Sequence, residues 1–287
     1  MTLKITKQQK QQYQDEGYLI LDRVIPNNFL KLLQDECQAF VDQVNLQMDQ
    51  KGTDVLGINH RDKRYFIANC FQQEPKLRDF LFSDLMAEVC QATLGDTSYL
   101  FWEQYVVKGA EEGMKFSWHQ DSGYVGYPDH LPYLTCWYAL DDMTIENGTV
   151  HILPFSHSGI RSWVQHIREE GSNDLVGYFG KDKGIAAIVP AGSIVAFTSI
   201  NFHSSGNNTT QKPRRAYLAQ YSAEPILSRD GSRLWGNAEP FVVNGVSSVR
   251  KLSTASSDNL LLGFGHYLTI CFSTKTWNVW APAHLQS

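Results

Sequence analysis

Cysteine is scarce in this chain of 287 residues, and the few cysteines show no pairing pattern. None of the five stands in a C-x-x-C motif, and their number is odd. This distribution argues against a disulfide framework and against a structural zinc site. We therefore expect reduced thiols at positions 37, 70, 90, 136 and 271.

Signals for export and for membrane insertion are also lacking. The N-terminus, Met1 to Lys4, leads into a polar stretch without the apolar core of a signal peptide. The longest apolar region, Leu260 to Phe272, has 13 residues, whereas a membrane-spanning helix needs about 20. The last residues do not form a peroxisomal address. These absences predict a cytoplasmic protein without a membrane partner.

A block of basic residues is the third missing feature. The formal net charge is −5, and lysine and arginine are dispersed along the chain. Nucleic acid is therefore not an expected partner. A hydrophobic fraction of 43% with 12% aromatic residues is enough for a substantial core. The pattern gives no indication of the oligomeric state.

The first third of the chain has mainly helical patterns. A polar, helix-favouring stretch ends at Gly17, and apolar residues after Pro26 recur with the 3.6-residue helical period until Lys51. A third pattern lies between a capping Ser83 and Gly95. The predicted helices are therefore 6–16, 26–51 and 84–94, with a short strand at 18–21.

From residue 97 onward the pattern changes to short strands. Runs rich in Tyr, Trp, Val, Ile and Thr are separated by Gly, Pro, Asn and Asp. Many short strands with polar turns predict a mainly β fold, an antiparallel sandwich or jelly roll, with the N-terminal helices buttressing one sheet. The predicted strands are 98–107, 116–120, 133–140, 149–153, 185–189, 193–198 and 214–222, and a short helix is predicted at 162–170.

No linker or internal repeat divides the chain, so we expect a single domain over residues 1–287. Its parts are a helical lead-in at about 1–96 and a β core at about 97–245. No role is assigned to the C-terminal segment at about 250–287.

One histidine pair and one aspartate suggest a metal site. His119 and Asp121 stand one residue apart, and His203 follows 82 residues after Asp121. On an extended segment, residues 119 and 121 point to the same side, so both can contact one ion. Two imidazoles and one carboxylate can hold Fe(II) on one face and leave the opposite face open, as in non-haem iron oxygenases.

A second H-x-D match shows why spacing alone is weak. With 9 histidines and 18 aspartates in the chain, chance produces about half of one such match. His60 and Asp62 form the other one, in a charged stretch that is typical of a solvated loop. Lys63 and Arg64 next to it would disfavour a cation. The pair at 119 and 121 follows a long apolar strand and is the stronger candidate.

An arginine beyond the second histidine suggests a dicarboxylate co-substrate. Arg214 follows His203 by 11 residues, and its planar guanidinium matches a carboxylate. On an extended strand Arg214 and Arg215 face opposite ways, so only one can point inward. By the same alternation Thr135 and Trp137 share a face, and Ser205 shares one with His203.

Several segments resemble one known family in order and spacing, over roughly residues 10–245. The resemblance is to the phytanoyl-CoA dioxygenase family of Fe(II)/2-oxoglutarate-dependent oxygenases, which includes ectoine hydroxylases and natural-product biosynthesis enzymes. One departure is Phe155, where the family usually has a small residue after the proline. The similar segments are 16–20, 118–121, 147–149 with 153–157, 191–197, 203–208 and 213–216.

The resemblance implies a double-stranded β-helix, a cupin-like jelly roll, with iron held by three ligands. These are His119, Asp121 and His203. Because halogenases of this superfamily lack the carboxylate, the presence of Asp121 implies a hydroxylase type of oxidoreductase and not a halogenase. The co-substrates would be 2-oxoglutarate and O2, the products succinate and CO2, and the substrate a small-molecule metabolite whose C–H bond is oxidised.

The resemblance also implies a set of co-substrate contacts. Arg214 would pair with the C5 carboxylate of 2-oxoglutarate, and Ser205 would support that carboxylate. Gln104 and Trp137 fall where family members line the co-substrate pocket. Among the other histidines, His166 is expected to be a core or surface residue.

Two other functions remain open from the residues. One is a cupin-like metal enzyme that does not use 2-oxoglutarate, against which Arg214 argues. The other is a non-catalytic small-molecule binder on the same fold, against which the intact set of three ligands argues. The identity of the substrate, and the choice among hydroxylation, desaturation and cyclisation, do not follow from the sequence.

Overall fold

The structure is a computed structural model, and it describes residues 5–111, 113–170 and 174–247. The helices are α1 Lys7–Glu16, α2 Asn27–Lys51, α3 Lys76–Leu81, α4 Asp84–Thr93, α5 Asp121–Val125 and α6 Phe155–Ser158, with a 3₁₀ turn at Cys70–Gln72. The strands are β1 Tyr18–Leu21, β2 Val55–Leu56, β3 Asn59–His60, β4 Arg64–Ala68, β5 Ser98–Lys108, β6 Phe116–His119, β7 Leu134–Ala139, β8 Val150–Leu153, β9 Ile167–Arg168, β10 Leu175–Val176, β11 Ile185–Ala186, β12 Ile194–Thr198, β13 Phe202–Ser205, β14 Arg214–Ser222, β15 Glu239–Val243 and β16 Val246–Ser247.

The three predicted helices form, and their ends follow local chemistry. Thr6 and Gln9 make a reciprocal capping box at the start of α1, and the helix ends at Gly17 with φ +78°. Helix α2 follows Pro26 and ends at Gly52 in the left-handed region. Ser83 caps α4 by accepting a hydrogen bond from the Met86 N–H.

Two antiparallel sheets form the β core, and this confirms the predicted jelly roll. The large sheet has the strand order β1-β12-β7-β14-β5-β4-β3-β2, with β15 and β16 attached at β5. The small sheet has the order β11-β8-β13-β6, and β9 pairs with β10 as a separate hairpin. All the described strand pairs are antiparallel.

The two faces of the large sheet carry different cores. On β7, Cys136 and Tyr138 face α2, α3 and α4 and belong to the larger apolar core. Trp137 and Ala139 face the other way and pack with the small sheet. The period-2 alternation of one strand thus serves both cores. The helices cover one sheet, as predicted.

Several local predictions were wrong. The helix expected at 162–170 does not form, and its second half is the short hairpin strand β9. Strands β4 and β13 were not predicted, and the stretch at about 1–96 contains four strands besides its helices. The stretch around His60 is not simply a solvated loop, because the buried Asn59 side chain accepts the Phe66 N–H at 2.6 Å and joins β3 to β4.

The remaining predictions concern membrane helices, the C-terminal segment, the cysteines and the number of domains. Within the described ranges, no helix is long and apolar enough to cross a membrane. The C-terminal segment at about 250–287 lies outside the described residues, as does Cys271. The other four cysteines are free and buried, as expected for reduced thiols. The single-domain organisation remains a prediction.

Candidate active site

The two sheets bring His119, Asp121 and His203 together. His119 ends β6 and His203 lies on the neighbouring β13, directly opposite it in the strand register. Asp121 follows His119 by two residues, at the start of α5. One ligand atom from each residue lies within 4.8 Å of the others. The Nε2 atoms of His119 and His203 are 3.8 and 3.4 Å from Asp121 Oδ1.

The backbone fixes both imidazoles in the orientation that a metal needs. His119 Nδ1 lies 2.7 Å from the Ser117 carbonyl oxygen, and His203 Nδ1 lies 3.3 Å from that of Asn201. Each Nδ1 therefore carries the proton and donates it, which leaves the Nε2 lone pair free to bind a metal. Burial and the neighbouring His203 hold the pKa of His119 well below its ordinary value, so this ring is neutral.

Two side chains of the large sheet hold the aspartate. Thr135 donates its hydroxyl to Asp121 Oδ2 at 2.5 Å, and Gln220 donates its amide at 2.9 Å. These two residues are cross-strand partners on β7 and β14. Burial raises the pKa of Asp121, but the proximity of His203 and His119 and the hydrogen bond from Thr135 outweigh it and lower the pKa to about 2. Oδ1 is thereby left as a charged ligand atom facing both imidazoles.

The residue between the ligands is held by a third histidine. The Gln120 N–H donates to His166 Nε2 at 2.9 Å, while His166 Nδ1 donates to the Val164 carbonyl at 2.8 Å. The His166 ring fits between Gly123 and Gly177, where an added Cβ would lie 2.6 and 2.5 Å from it. His166, which was predicted to be a core or surface residue, is buried behind the metal-binding turn.

The Gln120 side chain also holds the metal-binding turn in place. It is fully buried, and its amide donates to the carbonyls of Ser162 and Ile200 at 2.8 and 2.7 Å. Its oxygen accepts the Val164 N–H at 3.0 Å. The metal-binding turn is thus tied to residues far away in sequence.

Arg214 is buried with unused hydrogen-bonding capacity. Its side chain is 1% exposed, and its Nη2 donates to the Gly148 carbonyl at 3.2 Å. The guanidinium carbon lies 5.5 Å from the centroid of the Trp137 ring. Nε and Nη1 have no partner among the described residues. A buried cation with two unused donors fits a carboxylate ligand.

The neighbouring basic residues have other partners. Arg215 faces the opposite side of the sheet, as predicted, and pairs with Asp141 at 2.6 and 3.1 Å. Lys108 stands opposite Arg214 in the register of β5 and β14, and its amine donates to the carbonyls of Met114, at 2.7 Å, and Gly206. Burial, and then the charge of Arg214, lower the pKa of Lys108 to about 6.

A cavity of about 870 Å³ opens onto the three ligands. Arg214, Ser205, Gln104 and Trp137 all line it, so the residues proposed for the co-substrate reach one space. Ser205 lies on β13 two residues after His203, on the extended backbone that the alternation assumed. Gln104 accepts a hydrogen bond from the Trp102 indole at 3.4 Å. The alternative pair His60 and Asp62 lines no part of this cavity.

The fold and the site define a class: a double-stranded β-helix with a 2-His-1-carboxylate metal centre, the architecture of non-haem iron oxygenases. The family model of the phytanoyl-CoA dioxygenase (PhyH) family matches residues 13–216. The chain belongs to this family.

Two relatives illustrate the sequence similarity. The L-proline trans-4-hydroxylase of Streptomyces griseoviridis is 30% identical over 161 residues, which are 47% of this chain and 58% of the hydroxylase. The chain thus matches little more than half of that relative. A phytanoyl-CoA dioxygenase domain-containing protein 1 homolog of Dictyostelium discoideum is 21% identical over 76% of this chain and 92% of its own length.

Solved structures show the same fold. EctD from S. alaskensis, crystallised with 2-oxoglutarate and 5-hydroxyectoine, superimposes with a TM-score of 0.64 at 21% identity, over 84% of this chain and 86% of its own. SnoK, a non-haem α-ketoglutarate-dependent carbocyclase from nogalamycin biosynthesis, has a TM-score of 0.59 at 19% identity, over 91% and 94% of the two chains.

Proposed function

We propose that this protein is an Fe(II)/2-oxoglutarate-dependent dioxygenase that hydroxylates a C–H bond of a small-molecule metabolite, with release of succinate and CO2. The observation that carries the proposal is the joint presence of two features in one cavity. These are the convergence of His119, Asp121 and His203 and the buried, incompletely bonded guanidinium of Arg214.

The three ligands are suited to hold Fe(II). The backbone carbonyls behind the imidazoles set their tautomers, and Thr135 with Gln220 turns Asp121 so that Oδ1 faces the histidines. Charge and geometry are therefore established by the protein before a metal binds. With 2-oxoglutarate and O2, bound iron supplies the oxidising chemistry that no side chain can supply.

Arg214 would bind and orient the co-substrate. Its two unused donors can pair with both oxygens of a carboxylate, and the buried position keeps water from competing for them. Trp137 lies against the guanidinium and restricts its orientation. Ser205 and Gln104, which line the same cavity, would contact the co-substrate from the small and the large sheet.

Asp121 supports hydroxylation as the reaction type. The carboxylate occupies the position that the halogenases of the superfamily leave to a halide, and its two hydrogen bonds hold it there. A cupin-like enzyme without 2-oxoglutarate, or a non-catalytic binder, would have no use for a buried guanidinium aimed at the same cavity as three ligands. We therefore favour the oxygenase over both alternatives.

The proposal is tested by anaerobic addition of Fe(II) and 2-oxoglutarate, with Arg214→Met compared with Arg215→Met. Chelation of iron by 2-oxoglutarate produces a visible charge-transfer band, which reports binding without turnover. We expect Arg214→Met to raise the 2-oxoglutarate concentration needed for half-maximal absorbance by about 100-fold, because it removes a buried charged partner.

Arg215→Met is the matched control. It removes the adjacent arginine from the opposite face of the same strand, where the guanidinium pairs with Asp141. Its half-maximal concentration is expected to stay within about twofold of the parent protein. Metal binding without any absorption band would support the cupin-like alternative, and no metal binding would support the non-catalytic binder.

Cytoplasmic location stays a prediction. Its support is chemical: Cys37, Cys70, Cys90 and Cys136 are free thiols, the form that a reducing compartment maintains.

A further inference from the structure

The outer part of the cavity is built from an extension of the large sheet. That sheet continues through β5 and β4, and β4 meets the small sheet at Phe66 and Phe116, whose ring centroids are 5.6 Å apart. Phe66 and Ala68 of β4, and Trp102 of β5, line the cavity there. At about 870 Å³, the cavity is near the upper end of the range of about 300–1,000 Å³ for ligand pockets. 2-Oxoglutarate would fill only its inner part.

Charged groups in this outer part are already neutralised by the protein. Arg64 and Asp174 form a buried ion pair at 3.3 Å, and Arg64 also donates to the Ile58 carbonyl at 3.2 Å. Lys115 pairs with Glu169 at 3.1 Å. The other ionisable residues that line the cavity within the described ranges are Lys108, whose amine is held by backbone carbonyls, and Asp121 and Arg214, assigned above.

Carboxamides and indoles contribute hydrogen-bonding and aromatic groups to a wall that is otherwise largely apolar. Gln43 and Gln47 stand one helical turn apart on α2, and Gln73 follows the 3₁₀ turn. The amides of these three line the cavity and make no side-chain hydrogen bond to a described residue. Trp102 and Trp235 lie beside each other, with ring centroids 6.0 Å apart.

This composition favours one chemical class. A carboxamide donates and accepts at once, as a hydroxyl group does, so the two are matched hydrogen-bonding partners. An indole face packs against the C–H face of a saturated ring. A carboxylate or ammonium group would enter this space without a free counter-charge, which is unfavourable.

On the basis of the proposed function, we propose that the outer cavity binds a neutral, hydroxyl-rich ring compound of the glycoside class. Trp102 and Trp235 stack against its ring, and the carboxamides on α2 bind its hydroxyl groups. A zwitterionic amino acid is the competing occupant, and it would have to separate Arg64 from Asp174 to gain its own partners.

Matched probes that differ in charge test the proposal. Phenyl β-D-glucopyranoside is neutral, and phenyl β-D-glucuronide has the same ring with a carboxylate. Each is titrated, along with L-proline, into the full chain loaded with Mn(II) and 2-oxoglutarate, and binding is read by saturation-transfer NMR. We expect millimolar or tighter binding of the glucoside and at least about tenfold weaker binding of the glucuronide and of proline.

Variants locate the binding site. Trp102→Ala is expected to weaken glucoside binding by about tenfold, and Trp102→Phe to restore most of it, because a ring face remains. Gln47→Ala should weaken it by about fivefold. Gln91→Ala is the control, since this exposed amide on α4 contacts the Gly245 carbonyl away from the cavity.

Two results would overturn the proposal: a glucuronide or proline affinity equal to or above that of the glucoside, or no glucoside binding at millimolar concentration. Neither result affects the oxygenase proposal, because the charge-transfer band with Fe(II) and 2-oxoglutarate is measured without any of these probes. If the parent protein showed no such band, the oxygenase proposal would be refuted, whatever the result with the glucoside.

Discussion

Replacing His166 with leucine tests whether the metal site depends on a residue that touches no metal. His166 accepts the N–H of Gln120, the residue between two ligands, at 2.9 Å. Leucine fills similar space in the gap between Gly123 and Gly177 but has no acceptor. The Gln120 N–H would then be buried without a partner, or the turn would shift to find one.

The size of the loss in metal affinity follows from the cost of leaving the Gln120 N–H without an acceptor. Leaving a buried donor unsatisfied costs about 1–3 kcal/mol. If the cost falls on the metal-bound form, affinity decreases by about 5- to 150-fold, since about 1.4 kcal/mol corresponds to a factor of ten. The Gln120 side chain keeps its three hydrogen bonds to Ser162, Val164 and Ile200, so the turn should remain folded.

The assay is a Mn(II) titration followed by electron paramagnetic resonance, in the absence of 2-oxoglutarate. His166→Gln serves as the rescue, because its amide oxygen can accept where Nε2 did, and affinity should return to within about threefold of the parent. His151→Leu is the control, a half-buried histidine on β8 that does not line the cavity.

A purely structural role would give a different result. His166→Leu would then lower the free energy of unfolding of the metal-free protein, with Mn(II) affinity unchanged within about twofold. That outcome, or a failure of the glutamine variant to recover affinity while it folds normally, would refute the positioning role of His166.

Two further predictions concern groups held by the large sheet. Thr135→Val removes the hydroxyl that donates to Asp121 Oδ2 and should weaken Mn(II) binding by about tenfold; unchanged affinity would mean that Gln220 alone orients the carboxylate. Glu103 is fully buried on the helix side of β5, and burial raises its pKa from 4.5 to about 7. Its contribution to stability is therefore complete below about pH 4.5 and declines by about 3 kcal/mol as the pH rises to about 7. Urea unfolding of Glu103→Gln should lack this decline, and a parallel decline in both proteins would refute the assignment.

Local chemistry was readable from the sequence where one short pattern decides the structure. Helix α1 has its capping residues next to its ends, and the alternation in β14 correctly separated the inward Arg214 from the outward Arg215. The same alternation placed Thr135 on one face with Trp137. Its bond to Asp121 was not evident, because it depends on how β7 lies against α5.

Other features depend on contacts between distant residues. Gln220 is 99 residues from Asp121, and its role follows only from the pairing of β14 with β7. His166 was predicted to be only a core or surface residue, because a lone histidine carries no local signal for a contact with a distant turn. The helix predicted around it does not form, and His166 contacts the metal-binding turn instead. Strand β4 starts in a charged stretch, and the buried pair of Arg64 with Asp174 makes such a sequence compatible with a strand.

The metal centre lies between the two sheets, and both sheets contribute to the geometry of its ligands. The small sheet supplies His119 and His203 as cross-strand neighbours, whereas the large sheet supplies Thr135 and Gln220, which orient Asp121. No single sheet contains both the imidazoles and the groups that set the carboxylate. The packing of the large sheet against α5 therefore controls the orientation of the carboxylate. A substitution that changes the packing between the sheets, at Trp137 for example, should alter metal affinity without contacting the metal.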